Sequence, residues 1–217
     1  MTGPAGHPLI HIVDDDADFQ AAVSRVLRAA GYEVRCYANA GEFFVATVDD
    51  QPGCILLDLN MPGPSGLEVQ AALVRMERQW PIVFMSGYGD IPTTVRAIQA
   101  GAVDFLTKPV PRDTLLRVVG NALARDADSR HERRRVTSWH SRLCSLTQRE
   151  REVLEGIVSG KLNKVIGAEL GAAERTVKTY RARVMEKMGA GSLAELVQIT
   201  DRLRSAGLMS AAPMQNT

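Results

Sequence analysis

Cysteine is scarce: three residues, Cys36, Cys54 and Cys144, in a chain of 217. The set is odd and widely spaced, and two members sit in apolar runs. That argues against a disulfide framework or a cysteine metal site and fits free thiols in a reducing compartment. Long apolar runs are missing too. None approaches the roughly 18–20 residues that span a bilayer, so no membrane partner is expected. The opening MTGPAGHPL lacks the basic-then-apolar pattern of a secretory signal. These absences together point to a cytoplasmic protein. Net charge is nearly absent at +1, no internal repeat is visible, and the second half of the chain holds no convincing strand.

What charge there is falls unevenly. Residues 1–124 carry 9 Lys/Arg against 14 Asp/Glu, net −5, and residues 125–217 carry 17 against 11, net +6. An acidic half followed by a basic half implies two domains with different partners, and the basic half is a candidate for nucleic acid.

Five short strands are legible in the first half: LIHIV (Leu9–Val13), YEVRCY (32–37), CILL (54–57), PIVFM (81–85) and AVDFL (102–106). Amphipathic stretches at 19–30, 41–48, 67–78 and 93–100 separate them, and a further helix begins near Asp113. Such alternation predicts a parallel, doubly wound α/β sheet. CILL is apolar on both faces, as a central strand covered by helices should be.

Strand ends carry the chemistry. Val13 is followed by Asp14, Asp15 and Asp16, Leu57 by Asp58, and Leu106 by Thr107, Lys108 and Pro109. In a parallel sheet these ends converge on the edge where ligands of open α/β sheets bind. Converging carboxylates repel, and a divalent cation relieves them. Mg2+ takes a few hard oxygen ligands, keeps several waters and couples to a phosphoryl group. Lys108 supplies a point charge for phosphate oxygen, and the Ser86 hydroxyl, ending the fourth strand, can donate to another. Asp58 is then the natural nucleophile for an aspartyl-phosphate, needing no base. Any one of these residues alone reads as a turn or cap; DDD before a helix is a good helix N-terminus. The ordered combination is far more specific.

The stretches HIVDDD, LLDLNMPGPSGLE, PIVFMSGYGD and GAVDFLTKP resemble the receiver domain of two-component response regulators over about residues 8–124. The resemblance implies that Asp58 is the phosphoacceptor. Asp15 is the principal acidic metal ligand, with Asp14 beside it, and the Asn60 backbone carbonyl completes the protein's share of the Mg2+ shell. Ser86 and Lys108 bind the phosphoryl group, Phe105 is the switch aromatic, and Lys108–Pro109 is a cis peptide. The family allows Ser or Thr at the hydroxyl position, so Ser86 is a mild departure from its pattern. A dianion on Asp58 would draw the Ser86 hydroxyl inward and free space for Phe105 to rotate, biasing a two-state face.

The stretch 125–145 is charge-rich, includes RHERRR (130–135), and reads as a solvated extension of the preceding helix. Thr147 and Glu150 then form a T-x-x-E capping box. Glu150, Arg151 and Glu152 read as a solvated face with local ion pairs. Residues 163–171 form a short helix ended by Gly171, 173–189 a longer one ended by Gly189, and 192–207 another. Short helix, glycine turn and longer helix make a helix-turn-helix pattern. Val177, Val184 and Met188 form an inward stripe, leaving Arg175, Lys178 and Thr179 at the start of the longer helix, with Arg181 and Arg183 following. A recognition helix presents its N-terminal residues to base edges, and most Lys and Arg contacts go to phosphates.

The run from Leu146 to Met188 closely resembles the LuxR-type DNA-binding domain, a likeness that covers about residues 141–203; this is the output domain of FixJ/NarL-class response regulators. Resemblance places Lys178, Thr179 and Ala182 against the bases, and Arg175, Arg183, Lys161 and Asn163 at phosphates or flanking positions. Tyr180 stands where this family commonly has His, and its ring can pack while its hydroxyl bonds a phosphate.

The expected fold is an α/β receiver, with a flavodoxin-like, five-stranded parallel doubly wound sheet, followed by an all-α helix-turn-helix domain. The expected division is a receiver at 8–124, a linker at 125–140 able to extend the preceding helix, a DNA-binding domain at 141–206 and a flexible tail at 207–217. The expected function is a transcription factor phosphorylated on Asp58 by a sensor histidine kinase. It would dimerise on activation, bind promoter DNA and meet RNA polymerase as a further partner. Two alternatives stand beside it. One is a receiver that signals without phosphorylation, as a dimerisation module. The other is a Mg2+-dependent aspartyl phosphatase, disfavoured because such chemistry wants a general acid two residues after the nucleophile and Asn60 stands there. An enzyme is therefore not expected.

Overall fold

The computed structural model describes residues 8–46, 51–76, 78–87 and 91–209. It divides into two units, Met1–Arg130 and His131–Thr217. In the first, strand and helix alternate: β1 (Leu9–Val13), α1 (Ala17–Ala29), β2 (Glu33–Tyr37), α2 (Ala40–Ala46), β3 (Gly53–Asp58), α3 (Gly66–Arg75), β4 (Ile82–Ser86), α4 (Ile91–Gln99), β5 (Asp104–Thr107) and then α5 (Arg112–Cys144). All strands are parallel in the order β2-β1-β3-β4-β5, so the order reverses between β1 and β3. That reversal opens a crevice at the carboxyl ends of these two strands.

Period-2 alternation splits the core into two layers. Ile55, Leu57 and Phe84 face one side with Val69 and Leu73 of α3. Ile10, Ile12, Leu56, Val83 and Met85 face the other with Leu27 of α1 and Leu115 and Val118 of α5. Cys54 is fully buried, and burial pushes its thiol up to about 12. Cys36 and Cys144 are exposed free thiols.

Element edges shift slightly from the sequence expectation, with local causes. β3 and β4 each run one residue further, through Asp58 and Ser86, because both residues still pair with their neighbours. β5 starts at Asp104, since Ala102 N–H closes the α4 terminus on Ala97 O. α3 stops at Arg75, where the chain turns toward Pro81 and Arg78 N–H reaches back to Leu73 O. α4 begins at Ile91 and places Pro92 in its first turn, where a missing N–H costs nothing. Residues 47 and 48 of the second expected helix and 210–217 of the expected tail lie outside the described residues.

α5 is a single helix of 33 residues that takes in 125–140. Within the first unit it is pinned to the sheet by a buried ion pair. Asp126 Oδ2 accepts from Arg130 Nε at 2.7 Å and from the Gly53 amide of β3 at 3.0 Å. Arg130 Nη2 donates to Gln51 O at 2.7 Å, and Trp80 Nε1 donates to the same carbonyl at 2.8 Å. Charge, hydrogen bonds and burial therefore converge on the amino end of β3.

The second unit comprises the end of α5 with α6 (Gln148–Val158), α7 (Asn163–Leu170), α8 (Glu174–Met188) and α9 (Leu193–Ser205). The inward stripe is as the spacing predicts: Val177, Val184 and Met188 are fully buried, with Val153, Leu154, Ile166, Leu196 and Leu203. Gly171 ends α7 at φ 62°, a left-handed conformation that glycine adopts without Cβ strain. The Thr147–Glu150 capping box is formed in both directions. Glu150 corrects the solvated-face expectation. It is only 2% exposed and accepts from Lys187 Nζ of α8 at 2.6 Å. Arg151 also bonds backbone, at Leu146 O and Cys144 O. Lys187 further donates to Ser145 O and Arg142 to Met188 O, so the carboxyl end of α8 is held from two sides.

Two stability predictions follow from the first unit. Asp126→Ala strands the Arg130 guanidinium and the Gly53 amide, and should cost about 3 kcal/mol in chemical denaturation followed by Trp80 fluorescence in a Trp139→Phe background. His11 lies among Tyr37, Phe43 and Trp80, shares a hydrogen with Tyr37 Oη at 3.0 Å and leaves Nε2 unpartnered. Burial, with Arg35 adding to it, lowers its pKa to about 4. Below pH 6.5 the unfolded chain takes up a proton that the folded one refuses until about pH 4, so stability should fall over that window. His11 should account for about 3 kcal/mol of the fall, and His11→Phe should flatten the curve by that amount.

Candidate functional site

The three aspartates after β1 have three different fates. Asp14 is fully buried, and its Oδ1 accepts the Asp16 amide at 3.0 Å. Asp15 is exposed. Asp16 is the N-cap of α1 and accepts the Phe19 amide at 3.0 Å. At the end of β3, beside β1, Asp58 is 4% exposed and its Oδ2 accepts the Asn60 amide at 2.9 Å. Close packing underneath makes the turn after it tight. Gly66 donates its amide to Leu59 O, and a Cβ there would collide with the Asp58 carbonyl.

Lys108 closes the pocket from β5's end. Its Nζ stands 2.7 Å from Asp14 Oδ2 and 2.8 Å from Asp58 Oδ1. Its backbone is fixed by an N–H bond to Ser86 O at 2.8 Å, and its bond to Pro109 is cis, as the resemblance implies. Burial raises the Asp14 pKa, with the Asp58 charge adding to it and Lys108 and the Asp16 amide opposing. For Lys108, desolvation acts downward, but the two carboxylates outweigh it and the ammonium is held above its ordinary pKa.

Oxygens of Asp14, Asp15 and Asp58 lie within 4.8 Å of one another. One lysine against three carboxylates leaves net negative charge, and Asp14 Oδ2, though near the ammonium, takes no well-directed hydrogen bond. Hard oxygens with residual charge suit a small divalent cation. Ser86 is fully buried at the end of β4, Phe105 is half-buried on β5 against the α3-side core, and Asn60 is exposed. Among the described residues the fold thus gathers Asp14, Asp15, Asp58, Ser86 and Lys108 at one sheet edge.

The second candidate surface is α8. Arg175, Lys178, Thr179, Ala182 and Arg183 are all exposed, on the side opposite the buried stripe. Arg175, Thr179, Tyr180 and Arg183 line a shallow groove of about 380 Å³ with Thr176. Lys161 and Asn163 are more engaged. Lys161 Nζ is paired with Glu169 at 2.7 Å, and Asn163 Oδ1 lies 3.4 Å from Arg181 Nη1. Neither α7 nor α8 has a side-chain N-cap bond, so both start with free backbone donors.

Sequence reasoning missed Phe19 and Gln20. The Phe19 ring centroid is 4.3 Å from Lys108 Nζ, and Gln20 Nε2 donates to Asp14 O and Tyr37 O. The signal for Gln20 was faint: a polar residue on the inner side of an amphipathic helix.

Fold and surfaces together define a two-domain regulator, a signal receiver followed by a DNA-binding output module. Comparison with known families agrees: residues 10–120 match the response regulator receiver domain and residues 144–200 the bacterial regulatory proteins of the luxR family. Nodulation protein W of Bradyrhizobium diazoefficiens is 40% identical over 207 residues, 93% of this chain and 91% of that protein. Among solved structures, the response regulator StyR superposes with a TM-score of 0.77 at 40% identity, over 91% of this chain and 100% of that one. Full-length FixJ from B. japonicum gives a TM-score of 0.56 at 35% identity, over 94% and 98%. The chain belongs to the two-component response regulators of the FixJ/NarL type, transcriptional regulators with a LuxR-type DNA-binding domain.

Proposed function

We propose that Asp58 is the residue at which this regulator receives its signal, as an acyl phosphate. The observation that carries the proposal is the burial of Asp58 at the end of the central strand, 2.8 Å from Lys108 and beside Asp14. An Asp58 carboxylate oxygen attacks phosphorus of a phosphohistidine on a sensor kinase. The P–N bond breaks, and the leaving imidazole nitrogen keeps the electron pair and takes a proton. The Lys108 ammonium and the Ser86 hydroxyl meet the phosphoryl oxygens. Asp14, Asp15, Asp58 and the Asn60 carbonyl would hold Mg2+, which when bound supplies positive charge to the phosphoryl oxygens. Phe105, half-buried on the neighbouring strand, would turn inward as Ser86 moves. Asn60 offers no general acid, which supports a receiver that stores the phosphoryl group over a phosphatase that turns it over.

On this proposal residues 8–124 form the receiver, 125–140 a connecting segment, 141–206 the DNA-binding domain and 207–217 a tail. The active form is a dimer on a pseudo-palindromic promoter site in the cytoplasm, where RNA polymerase is the further partner. Lys178, Thr179 and Ala182, exposed on the first half of α8, would read base edges in the major groove. Arg175 and Arg183 would contact phosphates. Lys161 and Asn163 would do so after leaving Glu169 and Arg181, since a phosphate can replace the carboxylate that Lys161 now holds.

Asp58→Asn should abolish covalent phosphate uptake from acetyl phosphate, read by intact-mass spectrometry; a mutant that still gains phosphate places the acceptor elsewhere. Lys178→Ala should weaken binding to a DNA site selected by the wild-type protein from random sequence. The expected loss is about 10-fold in a mobility-shift titration, with discrimination relaxed at the contacted position. Unchanged affinity removes Lys178 from the recognition set.

A further inference from the structure

We propose that Phe19 is a positioning residue for Lys108, holding its ammonium in line for the phosphoryl group by a cation–π contact. This rests on the assignment of Asp58 as the phosphoryl acceptor. Phe19 is the third residue of α1, whose first turn is tied down on both sides. The Asp16 cap takes the Phe19 amide, and the Gln20 side chain bonds Asp14 O at 2.5 Å and Tyr37 O at 2.8 Å. That stitching joins the start of α1 to the ends of β1 and β2 and sets the ring over the pocket.

Lys108 Nζ is 4.3 Å from the ring centroid, and its side chain is 17% exposed. An ammonium has three N–H directions. Asp14 and Asp58 stand against the ammonium as ion pairs at 2.7 and 2.8 Å, and the negative face of the ring supplies a third contact. The location is otherwise an odd one for an aromatic. Asp15, Asp16 and Asp18 around it are exposed, and the ring itself is only partly buried at the margin of the α1/α5-side core.

When Asp58 carries a phosphoryl group, the ammonium must exchange a carboxylate contact for a phosphoryl oxygen without swinging into water or onto the exposed acids. A hydrogen bond to a fixed acceptor would tether it. A ring face is non-directional, so the ammonium can shift while staying in contact. Leucine would fill similar space without the ring's negative face.

With acetyl phosphate as donor and measurements well below the thermal transition, Phe19→Leu should slow labelling about 3- to 5-fold, the size of a half-exposed cation–π contact. The donor concentration for half-maximal rate should be unchanged, and Phe19→Trp should label at the wild-type rate or faster. In the unphosphorylated protein the Lys108 ε-methylene protons should be shifted upfield by the ring and return toward random-coil values in Phe19→Leu. Labelling by Phe19→Leu at the wild-type rate overturns the proposal. So does equal slowing in Phe19→Trp, or an unshifted Lys108 signal in the wild type. A wild-type protein that takes no label at all, with a shifted Lys108 signal, instead removes Asp58 as acceptor and this role of Phe19 with it.

Discussion

Two buried carboxylates cannot share the edge of a parallel sheet without positive charge between them, and here Lys108 provides it, within 2.8 Å of both Asp14 and Asp58. Much of the first unit is arranged around that requirement. The strand-order reversal brings the ends of β1 and β3 together. The backbone bond from Lys108 to Ser86 O lays the end of β5 against that of β4 and aims the lysine inward. The capped first turn of α1 keeps Asp16 out of the pocket and Asp14 in it. A further dianion on Asp58 would compete for that one ammonium and redistribute the lysine and the hydroxyl next to it.

The second unit answers a different electrostatic demand. Its cations lie on the outer face of α8 while Val177, Val184 and Met188 fill the inner one. α8 itself carries only two carboxylates, Glu174 and Glu186 at its two ends, against Arg175, Lys178 and Arg183 on its exposed face, which suits that face to a polyanion. Arg181 and Lys187 are exceptions on this helix: Arg181 Nη1 donates to Asn163 Oδ1, and Lys187 is spent inside the unit on Glu150 and on Ser145 O, where it fixes the helix end.

Several of these features could be read from residue order. Five apolar runs separated by amphipathic stretches give the sheet, and the residues just after four of those runs mark the pocket, because strands in a parallel sheet all end on one side. The seven-residue and four-residue spacing of Val177, Val184 and Met188 marks the buried side of α8, and hence which cations face outward. Glu150 went the other way. Surrounded in sequence by Arg149, Arg151 and Glu152 it looks solvated, and only the approach of Lys187, 37 residues later, explains why it is buried. The Asp126–Arg130 pair was equally silent, since in a charge-rich stretch nothing singles out two residues whose partner is the amino end of β3.

By itself, then, the order of residues determined the element sequence, the inward stripes and the set of groups at the strand ends. Backbone pairing and hydrophobic periodicity are short-range properties written in neighbouring residues. Tertiary structure decided which of three consecutive aspartates is buried, which caps a helix and which faces solvent, and that Phe19 rather than a polar neighbour stands over Lys108. Those outcomes depend on how helices dock on the sheet to within an ångström or two. That docking comes from packing between residues far apart in the chain, and no local pattern contains it.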